Sequence, residues 1–141
     1  EIYDRPVDTF VARFIGSPPM NLLPGELAAR DGVPGVNCNG QWFPLPARWH
    51  DSAQRQGTRP VIVGLRAHDF VQVSHSAHPP AILNVLEVTG ESSLLHLEWQ
   101  GFPLHVQFAG RMELAPQQPI PLDINSEKIH LFDAQSGARL V

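Results

Sequence analysis

Residues Leu94 to Gln107 read LLHLEWQGFPLHVQ, and their alternation of apolar and polar side chains predicts a β-hairpin. With a two-residue turn at Gln100-Gly101, three apolar pairs form across the strands: Trp99 with Phe102, Leu97 with Leu104, and Leu95 with Val106. Such pairs stabilise an antiparallel sheet, and a slip of one residue would turn all of them towards solvent. The stretch therefore predicts a half-buried hairpin with a single register.

The opposite face of this hairpin is polar and raises the question of a metal site. It would carry His96 directly across from His105, with Glu98 on the same face. Imidazole and carboxylate groups are zinc ligands, so these three side chains are the candidates for a metal site. A solvent-facing polar strand explains them without a metal, and on this interpretation we predict none. Pro103 cannot donate a ladder hydrogen bond, so its strand should lie at a sheet edge or bulge.

The rest of the chain repeats this pattern of short apolar runs separated by turn residues. Its 141 residues include 14 prolines and 11 glycines, which favour short strands over long helices. Pro60 to Arg66 is the strongest buried strand, Asn21 to Ala29 is expected to break at Pro24-Gly25, and residues 47–59 form a loop that could carry one helical turn. We predict a mainly β protein, a small barrel or sandwich of about nine short strands. Two halves meeting near residues 74–80 would fit this count.

The first 16 residues predict one short amphipathic helix ahead of the β structure. Five apolar side chains recur at helical spacing: Val7, Phe10, Val11, Phe14 and Ile15. Gly16 and Pro18-Pro19 end the helix, because proline has no N–H to donate. We therefore divide the chain into a helix and linker over residues 1–16 and a β domain over residues 17–141. The apolar stripe could pack on this β domain or on another domain, and the pattern by itself leaves both open.

Composition and charge argue against several functional classes. The formal net charge is −4 with a single lysine and no basic patch, whereas nucleic-acid binders need cations to neutralise phosphates. No run approaches the roughly 20 apolar residues that span a membrane. No phosphate-binding G-x-x-x-x-G-K-[ST] loop occurs, so this chain by itself is not expected to hydrolyse ATP. Since no nucleophile arrangement or carboxylate pair stands out, we predict no catalytic and no cofactor-binding residues.

The segment Phe10 to Asn21, FVARFIGSPPMN, closely resembles a junction in the ATPase subunits of bacterial carbohydrate ABC importers, those of the maltose and sn-glycerol-3-phosphate type. In that family it joins the nucleotide-binding domain to a C-terminal regulatory domain called TOBE or MOP-like, an OB-like β-barrel. Further motifs extend the resemblance over most of the chain: Val63 to Asp69 (VGLRAHD), Glu87 to Trp99 (EVTGESSLLHLEW), and Ile129 to Asp133 (IHLFD) followed by Gly137 and Arg139.

The resemblance implies an accessory, regulatory and dimerising role rather than an enzymatic one. The parent subunit would be a transport ATPase that couples ATP hydrolysis to uptake of sugars or glycerol-phosphate-type solutes. ATP and Mg²⁺ would bind in its nucleotide-binding domain, outside this chain, which itself is expected to need no cofactor. The implied partners are that nucleotide-binding domain, a homodimer counterpart, the membrane permease subunits and any regulatory protein. The implied location is cytoplasmic, at the inner face of the bacterial plasma membrane.

Four of the predicted contact residues lie in the first part of the chain. By resemblance, Phe14, Ile15 and Met20 would pack against the nucleotide-binding domain and present an apolar patch in its absence. Trp42, between a glutamine and a phenylalanine, is either a core residue or an exposed aromatic at an interface, where aromatic side chains are enriched. The residues alone do not decide between these two places for Trp42.

The other three contact residues belong to the VGLRAHD motif. Arg66 could pair with Asp69, anchor a domain contact or bind an anion, since a guanidinium at the end of an apolar strand needs a partner. His68 stands where the family usually has a glutamate, and Asp69 could substitute for that carboxylate. Because related small barrels bind oxyanions, the alternative function is a module that binds a small ligand, an oxyanion or a sugar, with Arg66 as the anchor.

Overall fold

The computed structural model describes Asp8 and residues 18–140, so the helix predicted over residues 1–16 lies outside the described residues except for Asp8. The chain divides into two compact units. The first combines residues 1–65 with residues 126–141, and the second is the segment 66–125. The boundary predicted near residues 74–80 is therefore wrong, because the end of the chain returns to pair with the first unit.

The first unit is built on a five-stranded antiparallel sheet. Its strands are β1 (Asn21–Arg30), β2 (Val33–Cys38), β3 (Gln41–Pro44), β4 (Arg59–Leu65) and, near the end of the chain, β11 (His130–Asp133). They lie in the order β11-β4-β1-β2-β3. Tight turns at Asp31-Gly32 and Asn39-Gly40 join the first three strands, and all four of these residues have the positive φ angles that such two-residue turns require.

The second unit contains a four-stranded and a two-stranded sheet. Its strands are β5 (Phe70–Gln72), β6 (Ala81–Thr89), β7 (Ser92–Trp99), β8 (Phe102–Ala109), β9 (Pro119–Ile120) and β10 (Leu122–Ile124). The larger sheet has the order β8-β7-β6-β9, and β10 pairs with β5. All neighbouring strands are antiparallel. Six large apolar side chains in the core of this unit are at most 1% exposed: Leu83, Leu95, Leu97, Leu104, Val106 and Ile120.

The hairpin predicted from LLHLEWQGFPLHVQ is confirmed in register and in the facing of its side chains. The three apolar cross-strand pairs form as predicted, and His96 lies opposite His105. Gln100 and Gly101 have φ angles of 52° and 84°, as a two-residue hairpin turn demands. Pro103 is tolerated because β8 is the edge strand of its sheet, which was one of the two predicted explanations.

The first strand differs from its prediction. β1 continues without a break through Pro24-Gly25, and Pro24 lies opposite Ile62 of β4. In this half of β1 the described pairing is with β4 alone, since pairing with β2 begins at Glu26. The missing N–H of Pro24 therefore costs no hydrogen bond to a second neighbouring strand. A Cβ atom at Gly25 would lie 2.9 Å from Cys38 Sγ, so glycine allows β1 and β2 to approach closely.

The connection between β3 and β4 is more helical than predicted. A 3₁₀ turn (Ala47–Trp49) leads into an α-helix (His50–Gln56), longer than the single turn expected, and this is the one α-helix within the part of the chain that the structure describes. Eleven strands are present there instead of about nine, partly because residues 119–124 form two short strands separated by Pro121. No helix among the described residues is long and apolar enough to cross a membrane.

The IHLFD motif near the end of the sequence leads into a tight turn around Asp133. One carboxylate oxygen accepts the backbone N–H groups of Gln135 and Ser136, at 3.2 and 2.7 Å, and Arg59 donates to the other oxygen. Gly137, with a φ of 78°, donates its N–H to the Asp133 carbonyl at 2.8 Å. Hydrogen bonds from Ser136, and then the Arg59 side chain, lower the pKa of Asp133. The motif residues from Asp133 to Gly137 thus build a structural turn.

Candidate functional site

The VGLRAHD motif ends β4 and forms a 3₁₀ turn (Ala67–Asp69) in the second unit. Arg66 is only 6% exposed, and its carbonyl oxygen accepts the Asp69 N–H at 3.0 Å. The His68 side chain is half exposed, with Nε2 3.8 Å from the Asp69 carboxylate. The motif therefore offers His68 to solvent, whereas the burial of Arg66 disfavours its predicted use as an anchor for an oxyanion from solution. The ion pair between Arg66 and Asp69 stays a prediction.

Trp42 lies on β3, at the edge of the five-stranded sheet, and is half-buried. The guanidinium carbon of Arg30 lies 4.4 Å from its ring centroid, within the range of a cation–π contact. The ring covers Gly35 of β2 so closely that a Cβ atom there would lie 2.4 Å from Trp42 Cζ2. Trp42 is thus a ring fixed on one side by Gly35 and Arg30 and partly open to solvent, which suits an interface.

Met20 is a core residue of its own unit, which corrects the prediction of an exposed contact. It is 5% exposed and clusters with Phe132, which is fully buried, and the half-buried Leu22 and Ile62 pack against them. Met20 can pack here only because residue 64 is a glycine: a Cβ atom at Gly64 would lie 2.5 Å from Met20 Sδ. The burial of Met20 leaves little of its side chain for another domain. Phe14 and Ile15 lie outside the described residues, and their predicted contacts stay predictions.

The two hairpin histidines are neighbours, and His96 contacts a carboxylate that the sequence analysis did not name. The rings of His96 and His105 meet edge to face with centroids 5.0 Å apart. Nε2 of His96 contacts the carboxylate of Glu87 on β6, whereas Glu98 lies opposite Pro103 and Ile82. No group of three or more potential metal-binding side chains was found among residue 8 and residues 18–140. The cluster is therefore a hydrogen-bonded polar surface, and the metal-free interpretation of the sequence stays a prediction.

Residues 16–70 match the family model of the MalK OB fold domain. Residues 16–70 belong to the MalK OB-fold family. The chain is 36% identical over 140 residues to an ATP-binding protein of Brucella abortus (strain 2308), with 99% of this chain and 37% of the relative covered. It is 33% identical over 145 residues to the sn-glycerol-3-phosphate import ATP-binding protein UgpC of Salmonella paratyphi A, with 99% and 38% covered. The UgpC of Cupriavidus pinatubonensis is 32% identical over 149 residues, with 99% and 40% covered.

These comparisons confirm the importer ATP-binding family that the motifs predicted, together with its OB fold. The chain spans about two fifths of the length of the curated relatives that it matches. The part matched by the MalK OB model includes Met20, Trp42, Arg66, His68 and Asp69. His96, His105 and Glu98 lie beyond it, within the region aligned only with the full-length relatives. The OB-fold match itself is limited to residues 16–70.

Two contacts were not predicted from the sequence, although each has a sequence signal. Glu87 reaches His96 because it is a diagonal neighbour, which follows once Gly90-Glu91 is taken as the turn between β6 and β7. The Trp42 ring packs directly on Gly35, and a glycine inside a strand often marks the close approach of another group. Both inferences need a correct strand register first, so they were available only after the hairpins had been aligned.

We expect Gly35→Ala to destabilise the MalK OB-fold sheet by about 1–3 kcal/mol, the usual cost of overpacking. The added methyl would lie 2.4 Å from the Trp42 ring and 2.8 Å from the Phe43 carbonyl oxygen. Urea unfolding of Gly35→Ala, of Trp42→Ala and of the double variant Gly35→Ala/Trp42→Ala shows whether the strain comes from the contact with the ring. Because removal of the ring makes room for the methyl, the double variant should lose less stability than the sum of the singles. Strict additivity would show that the ring does not rest on Gly35.

We expect NMR titration to show a pKa for His105 below the ordinary value of about 6.5. Partial burial, and then the charge of His96, lower this pKa, while Glu87 raises it. His96→Ala should therefore raise the His105 pKa, and Glu87→Gln should lower it further. The unfolded chain takes up this proton at the higher pH, so the stability that neutral His105 contributes is lost as the pH falls below about 6.5. A wild-type value at or above 6.5 would contradict the described packing.

Proposed function

We propose that this chain is the accessory and dimerisation part of an ABC importer ATP-binding subunit that imports sugars or glycerol-phosphate-type solutes. The observation that carries the proposal is the alignment of 99% of the chain with proteins named sn-glycerol-3-phosphate import ATP-binding proteins. The MalK OB domain match over residues 16–70 supports the same role. In the parent subunit, ATP and Mg²⁺ would bind in the nucleotide-binding domain, which carries out the hydrolysis. The OB part would act on that reaction only through the subunits that it holds together.

The proposed mechanism is mechanical. The linker of residues 1–16 would connect the nucleotide-binding domain to the β domain of residues 17–141, and two β domains would pair across a homodimer. This pairing would keep two ATPase domains at high effective concentration while they separate after hydrolysis. The dimer would work beneath two membrane permease subunits, at the cytoplasmic face of the membrane, where a regulatory protein could also bind. The half-exposed Trp42 on an edge strand supports this use of the surface, because aromatic side chains are enriched at interfaces.

The test is to compare the full-length parent subunit with a version that lacks residues 18–141, each coexpressed with its permease. We expect the shortened subunit to bind ATP but to dissociate into monomers after hydrolysis, as measured by sedimentation, and to lose solute-stimulated ATPase activity. Equal dimerisation and equal transport without residues 18–141 would refute the proposal.

A matched pair of tryptophan variants tests the proposed interface more finely. Trp42 and Trp49 are both half-buried and each lies beneath an arginine, at 4.4 Å from Arg30 and 4.8 Å from Arg48. We expect Trp42→Ala in the full-length subunit to weaken the dimer and Trp49→Ala to leave it unchanged. Equal effects of the two changes would place the dimer contact elsewhere, while leaving the importer role to be judged by transport.

A further inference from the structure

A cleft of about 390 Å³ lies in the second unit, next to the half-exposed His68. It is lined by His68, Glu91, Ser92, Gln107, Phe108 and Ala109. These residues come from three places in the chain: the 3₁₀ turn after β4, the turn between β6 and β7 with the start of β7, and the end of β8. Residues so far apart in sequence meet here because β7 and β8 pair along their whole length, with Ser92 opposite Ala109. The cleft is thus formed where the 3₁₀ turn that carries His68 meets the open end of the confirmed hairpin.

The polar groups of this cleft can both donate and accept hydrogen bonds. His68 offers a ring nitrogen, Glu91 an exposed carboxylate, and Gln107 an amide. The Gln107 amide nitrogen donates to Ser92 Oγ over 3.4 Å, a long hydrogen bond, and Ser92 Oγ donates to the Thr89 carbonyl oxygen at 3.3 Å, so Gln107 is the more available of the two for a ligand. The half-buried Phe108 supplies an aromatic wall beside them. A compound with several hydroxyl groups and an apolar face matches this combination.

The charges around the cleft select against an anion. No arginine or lysine lines it, and Glu91 does. The second unit as a whole carries two arginines and no lysine, against six aspartates and glutamates. Phosphate and other oxyanions are ordinarily held by arginine or lysine, and a neighbouring carboxylate would repel them. Hydroxyl groups suffer no such repulsion, and they can donate to Glu91 while accepting from Gln107 or His68.

We propose that this cleft binds a small neutral polyhydroxy compound, a sugar or a polyol. The side chains of His68, Glu91 and Gln107 bind its hydroxyl groups, and Phe108 packs against its carbon skeleton. The inference goes beyond the importer role and does not depend on it: a small-molecule site on this unit could exist whether or not the parent is a transporter.

The test is a titration of the ¹⁵N-labelled 141-residue chain with maltose, glucose or glycerol, followed by amide chemical shifts. We expect saturable shifts confined to Glu91, Ser92 and Gln107–Ala109 for at least one neutral compound, with millimolar affinity. Inorganic phosphate and sn-glycerol-3-phosphate should produce no saturable shifts at these amides. If no neutral compound shifts them, or if phosphate alone does, the proposal is overturned.

Two pairs of matched variants separate specific binding from a general effect. Gln107→Leu and His68→Ala should each weaken binding about fivefold, the effect of losing one hydrogen bond. Gln72→Leu and His75→Ala change exposed residues of the same unit that do not line the cleft, and they should bind as the wild type does. Unchanged affinity in both cleft variants would overturn the site even if the shifts are seen. Dimerisation and transport by the parent subunit are measured separately, so a failure here leaves the proposed function standing.

Discussion

Replacement of Leu95 by alanine is expected to lower the free energy of unfolding of the second unit by about 2–5 kcal/mol. Leu95 is fully buried, between Leu86 of β6 and Val106 of β8. Removal of its branched side chain reduces the apolar surface that folding buries. It also leaves a cavity, which the surrounding paired strands can fill only in part. Urea unfolding followed by circular dichroism, with amide exchange of β7, measures the loss.

The neighbouring residue provides the control. Leu94 belongs to the same strand and is the same residue type, but its side chain is on the opposite, half-exposed face, across from Glu87 and Gln107. We expect Leu94→Ala to lower the free energy of unfolding by about 1 kcal/mol or less, since less apolar surface is lost from the interior. Equal losses for the two variants, or a larger one for Leu94, would mean that the strand register is shifted by one residue.

Replacement of Phe132 by alanine should have the second large effect, a loss of about 3–5 kcal/mol from the free energy of unfolding of the first unit. Phe132 is fully buried although it lies opposite Ile62, on the other side of the sheet from Leu131 and Val63. Its ring packs with Met20, and the Arg139 guanidinium carbon lies 5.4 Å from its centroid. Phe132 is therefore the centre of an apolar cluster on the face of the sheet opposite to Leu131 and Val63.

Met20→Ala and Leu22→Ala complete this experiment. If Met20 is a core residue as described, its truncation should lower the free energy of unfolding by about 2–5 kcal/mol, whereas truncation of the half-buried Leu22 should cost clearly less. If Met20 instead faced an absent domain, its removal would change stability by less than about 0.5 kcal/mol, as surface changes usually do. Such a result would restore the prediction made from the hinge motif.

Much of the second unit could be predicted because its contacts are local. The register of β7 and β8 follows from alternation around a two-residue turn, and the β6–β7 hairpin follows from the glycine of its motif. The first unit was harder to predict. Its strands β4 and β11 pair although the whole segment 66–125 separates them in the sequence, and β1 continues through a proline. The pairs β4–β1 and β11–β4 are distant in sequence, and no turn residue indicates them.

The candidate contact residues show the same division. The sequence placed His96 against His105, because both belong to one hairpin, but the contact of His96 with Glu87 was not predicted. It identified Trp42 as a possible interface aromatic without showing that Gly35 and Arg30 hold its ring. For Met20, the hinge motif pointed towards another domain, whereas the cluster with Phe132 requires β11 to be in place.

The sequence by itself determined the β class, the turns, the hairpin register and the family, because alternation, glycine and proline act on residues close along the chain. Only the tertiary structure decided that Met20 and Arg66 are buried, that Glu87 meets His96, and that His68 lies beside a polar cleft. These features depend on which distant strands pair. Burial is a property of all the neighbours of a side chain, and most of those neighbours are supplied by other parts of the fold.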